Sequence, residues 1–173
     1  MDRILIRGTS GSGKTTLGLE IAHRLGVPAI DLDELYWLPG WQTRSPEDFR
    51  ERVRAATAAP RWALSGNYSK VDDLTLPPAD TAVWLDYSLP LVFGRVLRRT
   101  ILRCLRGDPC CNGNREEFRK SFLRRDSVIW WSLTTHGKRR RECDAFMAET
   151  PPPGQVRLRH RSPRETAAWL AEI

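Results

Sequence analysis

Gly8-Thr9-Ser10-Gly11-Ser12-Gly13-Lys14-Thr15 sets the fold expected of this chain. Glycine, four residues, glycine, lysine and then serine or threonine is the spacing of a loop that cradles phosphate. Its flanks support that reading. Arg3 to Arg7 is apolar at its centre and predicts a short strand. Thr16 to Leu25 carries Leu17, Ile21 and Leu25 four apart and predicts an amphipathic helix. Glycines at 8, 11 and 13 let backbone N–H groups converge on one anion, and the positive end of the helix lies at the same point. Ser10, Ser12 and Thr16 share this loop and helix start. Lys14 is spaced to reach terminal phosphates and Thr15 to ligate Mg²⁺.

Outward from the loop, strands alternate with helices. Strands are expected at Pro28–Asp31, Arg61–Ser65, near Ala82–Leu85 and at Val156–Arg159. That alternation predicts an α/β chain, a five-stranded parallel sheet flanked by helices in three layers. Ligands of such sheets collect at the carboxyl ends of the strands. Asp31 and Asp33 fall there, and each suits either a helix cap or Mg²⁺ and hydroxyl chemistry. Asp86 ends the fourth strand and is a weaker candidate for the metal. Tyr36, Trp37 and Trp41 surround Pro39-Gly40, either as a wall for a flat substrate or as a hydrophobic plug. Ser45-Pro46 starts a helix, and Gly66-Asn67-Tyr68 forms a polar turn at the binding edge. Ser162-Pro163 with Glu165 reads as a capping box for a last helix.

The net charge of +7 is uneven: residues 95–141 hold 14 Lys or Arg against 4 Asp or Glu. A helix from Pro90 to Arg106 with Arg95, Arg98 and Arg99, a loop at Cys110–Gly113, and a second basic helix from about Arg115 to Leu133 with Arg124 together suggest a lid over phosphates, since the planar guanidinium grips phosphate oxygens. Lys138–Arg141 reads as solvated surface on a further helix ending near Glu149. Length and composition fit one domain over 1–173, with an acceptor-binding segment at about 34–60 and a lid at about 103–126. No run is apolar enough to span a membrane, and the early first strand leaves no room for a signal peptide, so a cytoplasmic location is expected. Cys104, Cys110, Cys111 and Cys143 lack paired zinc spacing, leaving reduced thiols the expectation and a zinc site the alternative.

On these residues the chain resembles the P-loop kinases of the adenylate kinase and shikimate kinase kind, and more closely the bacterial DNA topology modulation proteins. The resemblance rests on the glycine loop, Asp31-Leu32-Asp33, Leu35 to Trp41, Gly66-Asn67-Tyr68-Ser69, Trp84-Leu85-Asp86 and the Arg95/Arg98/Arg99 helix. It implies the P-loop NTPase fold with a small helical lid, and ATP-dependent phosphoryl transfer to a small acceptor, with ATP and Mg²⁺ as cofactors. It implies Arg95 against adenine, Arg99 on phosphates, and Ser162-Pro163 closing over the base; Arg124 is expected, with the other lid arginines, to neutralise charge on the moving phosphoryl group. It further implies Asp31 and Asp33 at the metal and the acceptor hydroxyl, and Arg50 on an acidic acceptor; Trp37 of the aromatic cluster, with Gly66, Asn67 and Tyr68, is expected to form the acceptor wall. Ser65 stands where related sequences often carry Asp. The alternative is a nucleotide-gated nucleic-acid binder, motivated by the basic segment and the family name.

Overall fold

The computed structural model describes residues 1–118 and 127–173. Arg124, with the neighbouring basic residues Arg119, Lys120 and Arg125, lies outside them.

Five strands form one parallel sheet: β1 (Arg3–Gly8), β2 (Ala29–Asp31), β5 (Trp62–Ser65), β6 (Thr81–Leu85) and β9 (Val156–His160). Their order is β2-β5-β1-β6-β9, with the phosphate-loop strand at the centre. Both faces are covered, which is why β1, β5 and β6 are apolar at their centres. Side chains alternate between faces. Ile4, Ile6, Ala63 and Val83 meet Leu17 and Ile21 of helix α1 (Lys14–Leu25). Leu5, Trp62 and Leu64 meet Phe49 and Val53 of helix α3 (Pro46–Ala56). Phe49 is fully buried. Phe49→Ala should therefore cost about 3–5 kcal/mol of unfolding free energy, read from urea denaturation.

Element ends follow local chemistry. Gly26 takes the left-handed conformation that closes α1, its N–H reaching the Ala22 carbonyl. The Ser45 hydroxyl accepts from Asp48 N–H to start α3. Asp31 caps the short helix α2 (Leu32–Tyr36), which runs into an antiparallel ribbon of β3 (Trp37–Leu38) and β4 (Gln42–Thr43). Beyond β5 lies the four-residue helix α4 (Asp72–Thr75). Helix α5 (Leu89–Arg106) ends at left-handed Gly107. Helix α7 (Pro163–Ala171) is capped by Ser162, whose hydroxyl accepts from Glu165 N–H.

Two expectations change. Cys110–Gly113 is not a plain loop leading into a helix at Arg115. Pro109–Cys110 (β7) and Asn114–Arg115 (β8) pair as an antiparallel hairpin. Cys111, Asn112 and Gly113 all have positive φ, a geometry that Asn and Gly tolerate well. The helix expected to end near Leu133 does not end there. Only its last part, residues 128–133, shares a single helix α6 (Val128–Ala148) with the Lys138–Arg141 run, a helix started by Ser127, which accepts from Trp130 N–H, while residues 119–126 of the expected helix lie outside the described residues. Gly137 sits inside it. Among the described residues no helix is long and apolar enough to cross a membrane.

Candidate active site

The glycine loop joins β1 to α1 as its spacing requires. Gly8, Gly11 and Gly13 have φ of 151°, 79° and 95°. A methyl group on Gly11 would stand 2.5 Å from the Val92 carbonyl oxygen, and one on Gly8 2.7 Å from Ser12 Oγ. These positions therefore demand glycine on two counts, conformation and space. Lys14 Nζ donates to the Thr9 carbonyl at 3.0 Å, curling over the loop. The hydroxyls of Thr9 and Ser12 are buried without a hydrogen-bond partner among the described residues. An orphaned buried polar atom is costly. Phosphate oxygens arriving at the loop would satisfy these hydroxyls.

Asn67 pins this loop from the next strand end. Its Nδ2 donates to Gly8 O at 2.6 Å, and its Oδ1 accepts from Gly8 N–H at 3.2 Å. The Asn67 amide is thus engaged with the loop backbone. Gly66 has φ 148°, and a methyl there would overlap Leu32 at 2.6 Å. Both residues hold the loop and α2 in place.

Asp31 sits at the end of β2, opposite Ser65 in register. One oxygen accepts from Asp33 N–H at 2.9 Å and the other from the Thr15 hydroxyl at 2.7 Å. The two readings of Asp31 are therefore compatible: it caps α2 and faces Thr15. A cleft of about 440 Å³ opens beside this pair, with Ser65 and Glu34 on its wall. Burial raises the Asp31 carboxyl above its usual range, and neighbouring Asp33 adds to the effect. A divalent cation between Thr15 and Asp31 would reverse that rise. The donor set, one hydroxyl and one carboxylate with room for water, suits Mg²⁺, which keeps several waters. Asp86 is committed elsewhere, accepting from Arg159 Nε and Nη2 at 3.0 and 2.6 Å. It is a structural ion pair rather than a free metal ligand. Among the described residues no cluster of three or more His, Cys, Asp or Glu could hold a metal.

Asp33 lies one helical step on and accepts from the Tyr68 hydroxyl at 2.5 Å. Burial, then the Asp33 charge, pushes the Tyr68 phenol up, so it stays a donor. Tyr36, Phe49 and Tyr68 pack ring to ring, and Trp37 meets both Tyr36 and Trp41 edge-on. The aromatic stretch is both plug and wall: Phe49 is core, while Tyr36, Trp37 and Trp41 are only partly covered. Arg50 does not stand free beside them. It forms a two-pronged pair with Asp73, at 2.9 and 2.6 Å.

Cations gather on the loop's other side. Arg95 Nη1 donates to Ser12 O at 3.3 Å, and its guanidinium lies over Tyr87. Burial lowers the Lys14 ammonium to about 8, despite Asp33 and Asp31, with Arg99 and Arg139 adding to the fall. Arg139 was expected on a solvated surface; α6 instead brings its charge within influence of Lys14. Burial also pushes Arg99 down, and its Nε is buried without a partner among the described residues. Ser162 and Pro163 lie two strands from β1, where the Ser162 hydroxyl is occupied as a cap.

The sequence reading also missed the hairpin's grip on the aromatic segment. Asn112 N–H donates to Glu34 Oε2 at 2.7 Å, and its Nδ2 to Trp37 O at 3.2 Å. Asn114 Nδ2 donates to Leu38 O, while its Oδ1 accepts from Trp41 N–H at 2.8 Å. The Asn112-Gly113 pair was the available signal, since Asn-Gly favours a tight hairpin.

No protein-family model matches this sequence, and no curated protein matches it. Solved structures do. A gluconokinase from Sinorhizobium meliloti 1021 aligns over 99% of this chain and 92% of its own, at 21% identity and a TM-score of 0.51. A shikimate kinase from Acinetobacter baumannii in complex with shikimate aligns over 99% and 90%, at 15% identity and a TM-score of 0.52. The fold is that of the P-loop kinases. At such identities the likeness concerns the fold; roles for individual residues rest on the geometry above.

The P-loop lysine yields a pH prediction. A phosphate favours the ammonium form, so above about 8 binding must take up a proton. ATP affinity should be flat below that point and fall by up to about tenfold per pH unit above it. Fluorescence titrations from neutral to alkaline pH check this, and constant affinity across the range would refute it.

Proposed function

We propose that this protein is an ATP-dependent kinase that phosphorylates a small acceptor. The observation that carries the proposal is the Thr15–Asp31 contact at 2.7 Å, closing a glycine loop whose lysine and orphaned hydroxyls await an anion. ATP would supply the transferable γ-phosphoryl group, and Mg²⁺ would screen its charge. Lys14 and the loop amides bind and orient terminal phosphates. Thr15 and Asp31 hold the metal. The Arg95 position places a planar cation beside the loop for the nucleotide, and Arg99 and Arg139, whose charges both reach Lys14, offset negative charge. Asp33 accepts or orients the acceptor hydroxyl proton while Tyr68 fixes its carboxylate. Tyr36, Trp37 and Tyr68 bound the acceptor space, and Asn67 and Gly66 position rather than touch. With Ser65 opposite it in register, Asp31 is the carboxylate that meets the Thr15 hydroxyl.

The test is ADP release from Mg-ATP against nucleosides, nucleoside monophosphates, hydroxy acids and aminoglycoside-like alcohols. Stimulation by one class establishes the kinase and its acceptor together. ATP binding without stimulation, joined by DNA binding that collapses between roughly 50 and 200 mM salt, would replace it with the nucleic-acid reading.

A further inference from the structure

The hairpin that clasps the aromatic segment carries two adjacent cysteines, Cys110 ending β7 and Cys111 in its turn. Both are partly exposed, and their thiols are hydrogen-bonded to each other. Their surroundings are unequal. Arg103 and Arg99 lie on the Cys110 side, with Glu116 opposing them. Asp33 and Asp31 lie on the Cys111 side. We propose that Cys110 and Cys111 form a reversible dithiol–disulfide site for low-molecular-weight disulfides, and that its closure releases the hairpin from the 34–41 segment.

The chemistry balances with such a disulfide as oxidant. The Cys110 thiolate attacks one sulfur, expelling one small thiol and leaving a mixed disulfide on Cys110. The Cys111 thiol, losing its proton, attacks Cys110 Sγ, and the second small thiol leaves. Two protein thiols are oxidised, and one external disulfide is reduced to two thiols. The assignment of Cys110 as attacker follows from its environment. The hydrogen bond from Cys111, aided by Arg103 and Arg99, brings its thiol down to about 7, whereas the hydrogen bond to Cys110 and burial push the Cys111 thiol up. A thiol titrating near ambient pH is the best attacking group.

Geometry makes the bond labile and gives it a consequence. Adjacent Cα atoms across a trans peptide stand about 3.8 Å apart, closer than the roughly 4.4–6.8 Å that disulfides prefer. Ring closure must therefore shift the 110–111 backbone, and strained disulfides are readily reduced. That backbone is in use. Cys111 O accepts from Asn114 Nδ2 at 2.7 Å, and the next residue holds Glu34 and Trp37 O. Moving Cys111 disturbs the clasp at both asparagines.

The experiment treats the full chain with excess oxidised glutathione, then alkylates it and maps peptides by mass. The expected product is a 110–111 peptide lacking two hydrogens, unalkylated, and restored by dithiothreitol. Cys111→Ser should stop at a glutathione adduct on Cys110, and Cys110→Ser should react at least about tenfold more slowly. In the oxidised wild type, amide exchange at Asn112 and Trp41 should quicken by about tenfold or more, with no change in treated Cys110→Ser. A stable glutathione adduct in the wild type, a bridge to another cysteine, no reaction, or closure without faster exchange would each overturn the proposal. None of these readouts requires catalytic activity.

Discussion

Lys14→Ala should lower stimulated ATP turnover by about 10²–10³-fold, the usual cost of losing one preorganised charge at a phosphoryl centre. The lysine folds over the loop toward Thr9 O. The same site predicts the opposite sign for stability. In the nucleotide-free protein the ammonium titrates near 8, below the ordinary lysine value. The unfolded chain therefore binds more protons between about 8 and 10.4, so stability rises with pH through that window. Below it the charged, partly buried lysine is a standing cost. Lys14→Met, which keeps the stem and removes the charge, should raise nucleotide-free stability at pH 7 by about 1–2 kcal/mol after allowing for partial exposure. Urea denaturation with and without Mg-ATP checks both halves. The wild type should gain more from nucleotide than the variant does. A variant that keeps its turnover would remove Lys14 from the chemistry.

The loop and its helix were legible because each position there has one dominant local demand. Gly8 and Gly11 are fixed by conformation and close approach, Gly13 by conformation, and Gly26, Ser45, Gly107 and Ser162 mark ends by capping. What stayed hidden depends on partners far along the chain. Asn67 was read as touching the acceptor, but it holds Gly8, 59 residues away. Arg50 is claimed by Asp73 and Asp86 by Arg159, pairings that no spacing rule discloses. Arg7 is another case: a strand arginine buried against Trp84 and paired with Asp72 at 2.9 Å. A helix end was expected near Leu133, inside α6, because apolar and basic residues alternate through that stretch and the Ser127 cap was the available boundary signal. The hairpin was missed because its strands are two residues each, too short for alternation to show.

Asp33→Asn should lower turnover by about 10²–10⁴-fold, chiefly in kcat, while ATP affinity at neutral pH changes little. Asparagine keeps the shape and can still accept from Tyr68, so the fold around α2 is retained. It cannot take a proton from a hydroxyl, which is the function assigned to the carboxylate. Tyr68→Phe provides the scale for the positioning contribution alone: one hydrogen bond to a charged group, about tenfold to a hundredfold. A structural role for Asp33 would make the two variants similar; a chemical role separates them. Asp33 also contributes the largest of the charges that hold the Lys14 ammonium up. Removing it should therefore lower that ammonium further, and the pH at which ATP affinity begins to fall should move below 8. A kcat unchanged in Asp33→Asn would transfer the proton role to another group, and an unmoved pH profile would deny the coupling of Asp33 to Lys14.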